Sequence, residues 1–298
     1  MTRPAPQTDR LIALFRLLAA RPRDGFTVAE IARRVGVNRA SLYPMIATLV
    51  EAGWLVHDPD RRVYGLGPAL VGLGDAASTG FPALALVRPL AVALSEELGL
   101  SSAVFARSGQ TVTLAELVWD ARKGEAPMRL GQAFPLRAPF GAGFVAWAGD
   151  AMIKQWLAGS LIGRDRALDA LDGIRRRGYV VELDTQLDEQ IAAAVKRMVQ
   201  REGDEDLLSD RAAETLIQEL SQRRDSLPDQ VVSGQLYRTN TIGVPIFDSR
   251  GQVTTFLVLF GFTRLMSGRE IEKLGRRLCR EAERVNGPAR GTDRGKAK

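Results

Sequence analysis

Residues 27–55 read TVAEIARRVGVNRASLYPMIATLVEAGWL, and this stretch decides the fold of the N-terminal part of the chain. Thr27 and Glu30 have the spacing of a capping box, in which the residue before a helix and the third residue inside it bond reciprocally. Gly36 suits the left-handed residue that ends a helix, and Asn38 suits the N-cap of the next helix. The stretch therefore predicts two short helices joined by a tight turn.

The sequence on either side completes a small domain. Apolar residues recur after Asp9 at the spacing of one helix face, namely at Leu11, Leu14, Phe15 and Leu18. After Gly53, residues 54–57 and 62–66 predict two short strands joined by a turn at 58–61. Three helices followed by a β-hairpin form a winged helix-turn-helix.

A winged helix-turn-helix binds DNA by laying its third helix in the major groove, with the N-terminal residues toward the base edges. Arginines at the wing tip would lie over phosphates or enter the minor groove, and helix N-termini can bind phosphate through free N–H groups. The residues expected to contact DNA are Thr27, Asn38, Arg39, Ser41, Tyr43, Thr48, Arg61 and Arg62. The alternative is a small folded bundle whose arginines are only solvated surface.

The bulk composition is compatible with this interpretation but does not decide it. The 298 residues are 45% hydrophobic and 26% charged, with a net charge of +6. A basic balance favours polyanionic partners, and the cations before Lys123 are all arginine, the side chain suited to bidentate contacts with guanine and phosphate. A GC-rich genome would produce the same arginine bias.

The sequence gives no sign of a membrane segment, a disulfide or a catalytic centre. No apolar run approaches the roughly 20 residues that span a bilayer, and no apolar run precedes Leu11, so we expect a cytoplasmic protein with no membrane partner. Cys279 and His57 are the only residues of their types, which excludes an internal disulfide and a Cys/His zinc site. We therefore expect no cofactor and no enzyme activity.

The C-terminal two-thirds predicts a linker helix followed by an α/β (α+β) domain. Residues 68–79 form the linker helix, and Pro82 separates it from the domain that follows. Further helices are expected at 84–98, 140–148, 151–157, 166–177 and 267–285, and strands at 102–106, 111–119, 179–182, 241–247 and 252–260. This part of the chain is therefore predicted to mix helices and strands.

Several segments make the chain resemble the IclR-type transcriptional regulators. They are 27–37, 47–55 and 64–67 in the N-terminal part, and 136–147, 174–179 and 243–248 further on. The resemblance implies a winged helix-turn-helix at 1–67, a linker helix at 68–82, and a GAF-like effector-binding and dimerisation domain at 83–285, in which helices cover the faces of a sheet. The residues that follow, 286–298, are rich in Gly, Arg and Lys, which predicts a disordered tail. The resemblance also implies an operator, a small-molecule effector, and a homodimer or tetramer.

The effector would bind between the sheet and the loop from Gly131 to Gly143. We expect an organic acid or aromatic compound there, because the loop opens a helix whose amides could hold a carboxylate and contains an arginine that could pair with one. The expected contacts are Arg137, Phe140, Gly141 and Ala142, with Trp119 as a wall. The alternative is that the two aromatic residues are core and the arginine is a surface charge.

The chain departs from the family pattern at three places. Tyr43-Pro44 is similar to the recognition helix of PadR-type regulators, and a proline there predicts a kink or a later helix start. The glycines of 135–143 are displaced from the common spacing, and the segment 184–232 is longer and more helical than expected.

Two other functions remain open at this point. The chain could be an enzyme with an appended DNA-binding domain, or a constitutive DNA-binding protein whose sensor pocket has degenerated. The leading hypothesis is an effector-controlled regulator that binds specific DNA sequences.

Overall fold

The computed structural model describes residues 5–120, 122, 124, 126–158, 160, 163–183 and 227–286. These residues divide into two compact units between Gly80 and Phe81. Most of the segment predicted to be inserted, residues 184–226, lies outside the described residues, and so does the tail from residue 287.

The N-terminal unit has the predicted order of elements. They are α1 Pro6–Ala20, α2 Val28–Val35, α3 Arg39–Glu51, β1 Leu55–Asp58, β2 Val63–Leu66 and α4 Ala69–Thr79. The two strands pair antiparallel, with Leu55 opposite Leu66 and Asp58 opposite Val63. Three helices and a hairpin are therefore confirmed, and each strand starts one residue later than predicted.

A single apolar core holds the three helices and the hairpin together. The predicted stripe of α1 supplies Leu14 and Leu18, which are buried with Ile31, Leu42 and Ile46. Phe26 joins them, and its backbone exchanges two hydrogen bonds with that of Tyr64 in β2, N to O at 3.0 and 2.8 Å. These bonds connect the hairpin to the turn before α2, so the wing is held by more than its covalent connection to α3.

The hairpin also returns to the end of α3 through a close backbone approach. The Gly67 N–H donates to the Trp54 carbonyl at 2.7 Å, and the Ala69 N–H donates to the Gly53 carbonyl at 3.1 Å. A Cβ atom on Gly67 would lie 2.2 Å from the Gly53 oxygen, which is far inside van der Waals contact. Only glycine fits at this crossing.

The C-terminal unit is built around one sheet. Its elements are α5 Pro82–Leu98, β3 Ser101–Ser108, β4 Thr111–Val118, β5 Ala133–Pro135, α6 Ala142–Val145, α7 Asp150–Ala158, α8 Arg164–Arg177, β6 Val180–Leu183, β7 Leu236–Tyr237, β8 Thr239–Phe247, β9 Val253–Phe260, β10 Met266–Ser267 and α9 Gly268–Val285. The sheet order is β5-β4-β3-β9-β8-β6, and every neighbouring pair is antiparallel. The short strands β7 and β10 pair separately.

Helices cover both faces of this sheet, as the mixed α/β prediction required. On one face, α5 and α9 pack on fully buried residues such as Val104, Ile242 and Leu257. On the other face, α6, α7 and α8 pack around Trp156 and Phe256. Alternate residues along each strand point to opposite faces, which is why both sets come from the same strands.

Two local predictions need correction. The helix expected at 140–148 is a single turn, Ala142–Val145, because Gly141 adopts a left-handed conformation with φ of +71° immediately before it. The edge strand β5 was not predicted at all, since three residues are too few to show an alternating pattern.

No single helix among the described residues is long and apolar enough to cross a membrane, although α4 and α5 would pass on length and composition if they were counted together.

The Gly67 crossing gives a test of the N-terminal unit. Gly67→Ala should lower the free energy of unfolding by about 2–3 kcal/mol, because the added methyl forces the wing away from the end of α3. Gly72→Ala in α4 is the matched control, since an added Cβ there meets nothing within 4 Å. Chemical denaturation of the full chain measures both variants, and equal stability of the two would contradict the close approach.

Candidate DNA-binding surface

The first helix of the helix-turn-helix pair begins with the predicted capping box. The Glu30 N–H donates to Thr27 Oγ1 at 3.3 Å, and the Thr27 N–H donates to Glu30 Oε2 at 2.8 Å. The bond from the Thr27 backbone is the main cause that lowers the pKa of Glu30. The Thr27 hydroxyl also donates to Glu30, at 2.7 Å, so this predicted DNA contact is occupied in holding the start of α2.

The turn between the two helices is built as the sequence predicts. Gly36 is left-handed, with φ of +68°, and its N–H donates to the Ala32 carbonyl. Val37 buries its side chain, and the Asn38 side-chain oxygen accepts from the Ser41 N–H at 2.7 Å. Because Asn38 caps the helix, α3 begins at Arg39, and the prediction of a later start caused by Pro44 is wrong.

The third helix turns its predicted apolar face inward. Leu42, Ile46 and Leu49 are buried in the core of the N-terminal unit. The N-terminal turns leave Arg39, Ala40, Ser41, Tyr43 and Pro44 exposed. Of the predicted DNA contacts, Arg39, Ser41 and Tyr43 therefore share the exposed N-terminal part of one helix.

Pro44 lies inside α3, and the helix continues through it to Glu51. Proline has no N–H, so the Ala40 carbonyl cannot accept the usual bond from residue 44. The Thr48 hydroxyl donates to the Pro44 carbonyl at 3.0 Å. Thr48 is another predicted DNA contact, and its hydroxyl donor is therefore used within the helix.

The wing tip is a tight turn stabilised by one carboxylate. Asp58 Oδ1 accepts from the N–H groups of Asp60 and Arg61, each at 3.0 Å. Arg62 follows with φ of +54°, which is rare for a residue other than glycine. Both predicted wing arginines are exposed, and the Arg61 guanidinium also donates to the Arg23 carbonyl at 3.3 Å.

An open groove of about 370 Å³ lies between α3 and the wing. Its lining residues are Tyr43, Ile46, Ala47, Val50, Glu51, His57 and Tyr64. His57 stacks on Tyr64, with ring centroids 4.5 Å apart, because the two residues are directly opposite in the β1–β2 ladder. His57 is exposed in β1.

In the C-terminal unit, the structure brings together four of the five predicted effector contacts. The Phe140 carbonyl accepts from Trp156 Nε1 at 2.6 Å, and the Ala138 N–H donates to the Trp156 carbonyl at 3.1 Å. These bonds fix the loop that carries Arg137, Phe140, Gly141 and the buried Ala142. Arg137 is half-buried, and its Nε atom has no hydrogen-bond partner among the described residues.

Trp119 lies elsewhere. It follows the last residue of β4 and stacks on Phe260, with centroids 6.0 Å apart. The loop joins β4 at its other end, where Thr111 pairs with Pro135. Val118 is seven steps along the extended strand from Thr111, or about 23 Å at 3.3 Å per step, so the structure does not bring Trp119 to Arg137.

A row of side chains that the sequence did not single out crosses the sheet beside Trp119. Ser101, Phe260, Thr241 and Glu182 are successive cross-strand partners on β3, β9, β8 and β6, and therefore share one face. The Thr241 hydroxyl donates to Glu182 at 3.0 Å. Ser101 and Thr239 are almost fully buried, and their hydroxyls have no partner among the described residues.

Ser101 and Thr239 are the first residues of β3 and β8, and further polar residues follow them directly, so no sequence pattern marked this part of the sheet. Within the described part of the chain, no group of three or more His, Cys, Asp or Glu residues could hold a metal ion.

A capped recognition helix beside an arginine-tipped hairpin defines a winged helix-turn-helix regulator, and comparison with known proteins agrees. Residues 7–59 match the family model of the IclR helix-turn-helix domain. The HTH-type transcriptional regulator XynR of Escherichia coli is 24% identical over 55% of this chain and 68% of its own. The regulator TtgV of Pseudomonas putida is 27% identical over 60% of this chain and 71% of its own.

Solved structures show that the likeness of fold extends over both units. An IclR transcriptional regulator from Alicyclobacillus acidocaldarius superposes with a TM-score of 0.63 and 19% identity, covering 95% of this chain and 98% of that one. An IclR homologue from Microbacterium hydrocarbonoxydans, complexed with 4-hydroxybenzoate, gives a TM-score of 0.63 at 16% identity, covering 94% and 97%. The chain therefore contains an IclR helix-turn-helix domain at residues 7–59 and is similar to HTH-type transcriptional regulators.

The N-cap of α3 allows the structural role of Asn38 to be separated from contact with DNA. Asn38→Ala should destabilise the N-terminal unit by about 1 kcal/mol, because the Ser41 N–H loses its acceptor. Asn38→Asp keeps an oxygen acceptor at the same place and should retain the stability, while its negative charge weakens DNA binding.

Thermal denaturation and fluorescence anisotropy with a DNA duplex measure the two effects. If Asn38→Asp proved as unstable as Asn38→Ala, the side-chain cap would not be what holds the start of α3.

Proposed function

We propose that this regulator recognises operator DNA by inserting the N-terminal half of α3 into the major groove. The observation that supports this most strongly is the capped start of α3, which leaves Arg39, Ser41 and Tyr43 exposed in its first turns. Arg39 is the cation of this face, and its planar guanidinium can donate two bonds to one guanine. It is therefore the proposed main contact with a base.

The remaining predicted DNA contacts fall into two groups, those whose side chains already form hydrogen bonds within the helices and those at the tip of the wing. Thr27, Asn38 and Thr48 use side-chain groups within the helices, so we propose that they hold α2 and α3 in position. The wing arginines Arg61 and Arg62 are exposed at the hairpin tip, where they suit phosphate contacts. Contacts to phosphate position a protein on the duplex, and base contacts supply the sequence preference.

We propose that the regulator works as a homodimer. In the described part of the chain, no residue of α4 is buried, although the helix carries Val71 and Leu73, whose side chains are 74% and 48% exposed. A second copy of the chain packed on α4 would remove these side chains from water. Two winged modules would then read two half-sites, which multiplies the specificity of one.

The C-terminal unit is proposed to bind a carboxylate or aromatic effector in a GAF-like domain. A relative of the same fold holds 4-hydroxybenzoate, which combines both chemical features. In this chain, Arg137 can supply a cation beside Phe140, Gly141 and Ala142, and its buried Nε lacks a partner among the described residues. A carboxylate would satisfy that donor.

The unpartnered hydroxyls of Ser101 and Thr239, beside Trp119 and Phe260, mark a second place where such a ligand could bind on this sheet. One small effector cannot contact both places, because β4 separates them by about 23 Å. The Arg137 end is the proposed site, since it offers a charge to a carboxylate.

Calorimetry with 4-hydroxybenzoate as the probe distinguishes a site at the Arg137 end of β4 from a site at the Trp119 end. Arg137→Ala should weaken binding at least tenfold through loss of a charge-assisted bond, while Arg164→Ala, an exposed arginine at the start of α8, should not. Loss of binding in Thr239→Val, with Arg137→Ala unchanged, would move the site to the Trp119 end. DNA binding that responds to no metabolite would favour the constitutive alternative.

Fluorescence anisotropy near 0.15 M salt, with DNA fragments flanking the gene, tests the recognition helix. Arg39→Ala should lose the preference for one fragment, since it removes the proposed guanine contact, worth about 1–3 kcal/mol. Arg61→Ala/Arg62→Ala should weaken binding to all fragments alike and reduce its salt dependence. If both variants lowered every affinity equally, Arg39 would be a phosphate contact and not a base contact.

A further inference from the structure

The direction in which each α3 side chain points shows what the helix can read. Successive residues of an α-helix are about 100° apart around its axis. Measured from the mean direction of the buried Leu42, Ile46 and Leu49, the residues closest to the opposite direction are Ala40, Pro44, Ala47 and Glu51. All four are exposed. We refer to Ala40, Pro44 and Ala47 as the outer stripe.

The outer stripe contains no side-chain donor or acceptor. On one flank lie the exposed Ser41 and Thr48, whose hydroxyl donates to the Pro44 carbonyl, and on the other flank lies Tyr43, which is 55% exposed. The bidentate readers of adenine are Asn and Gln, and the one amide side chain within residues 27–51, Asn38, uses its oxygen for the cap. The most outward part of α3 is therefore poorly equipped to read bases by hydrogen bonds.

The stripe suits the one apolar group that the major groove presents. Thymine alone carries a 5-methyl group in that groove, and small apolar side chains recognise it by contact. Glu51, the acidic residue that continues the stripe, stands twelve residues after Arg39, or about 18 Å along the axis at 1.5 Å per residue. A helix that enters by its N-terminal half keeps this carboxylate away from the bases.

We propose that the outer stripe of α3 reads thymine 5-methyl groups, in addition to the base contact proposed for Arg39. The inference rests on the proposed function, and it specifies the chemistry of the recognised sequence. Pro44 has a role in this arrangement: its ring puts apolar surface at the centre of the stripe, at a helix position where proline otherwise only removes a hydrogen bond.

The test uses the full chain and DNA in which single methyl groups are removed. A preferred sequence is first selected from a pool of random duplexes. Each thymine of that sequence is then replaced in turn by uracil, which differs only by the missing methyl, and affinity is measured by competition anisotropy in 0.15 M salt. At the contacted positions, uracil should weaken binding about fourfold per methyl.

Two matched variants connect the effect to the stripe. Pro44→Gln replaces the ring with a polar chain and restores a helix N–H, so the uracil penalty at one position should disappear. Pro59→Gln makes the same change in the exposed wing turn and should leave the penalty intact. Equal affinity for thymine and uracil at every position, with a selected sequence still bound, would overturn the proposed contact with methyl groups but not the proposed function. A pool from which no sequence is enriched would overturn the proposed function as well.

Discussion

The hydrogen bond from the Ser41 N–H to the Asn38 side chain, at 2.7 Å, determines where the recognition helix starts. Together with the left-handed Gly36, it sets the direction of α3 relative to α2 within a turn of a few residues. If α3 started later, at Pro44, Arg39 and Ser41 would lie in the turn and not on a helix. The exposed N-terminal residues of α3, and with them the proposed readout of bases, depend on this cap.

The wing is held by a different set of bonds and can make a different kind of contact. Phe26 and Tyr64 exchange backbone hydrogen bonds, and Gly67 passes so close to Gly53 that no side chain fits. The hairpin tip is then shaped by Asp58, which leaves two arginines exposed. The proposed division between a helix that reads bases and a wing that contacts phosphates therefore follows from how each is anchored.

Much of this could be predicted from the sequence, because the deciding interactions are local. Capping boxes, left-handed glycines and apolar periodicity each depend on residues within one or two turns, so the bounds of α1 to α3 and the hairpin were predicted closely. The later helix start that Pro44 predicted was wrong, because the cap at Asn38 holds the start of α3 and the helix continues through the proline.

The effector region was harder to predict because its residues are joined by strand pairing over long distances in the chain. That Trp119 and Arg137 belong to opposite ends of β4 follows from the pairing of β4 with β5, and β5 is too short to recognise in sequence. The row from Ser101 to Glu182 depends on four strands whose order is not sequential. Which alternate residues face α6 to α8 becomes clear only once that order is known.

The most direct measurement compares the affinity of the full chain for a selected duplex with its affinity for a scrambled duplex of the same length and composition, near 0.15 M salt. Reading of bases by α3 predicts a ratio of about a thousandfold or more. A ratio close to one, with binding that weakens steeply as salt rises, would contradict the account, because affinity would then come from the basic charge alone.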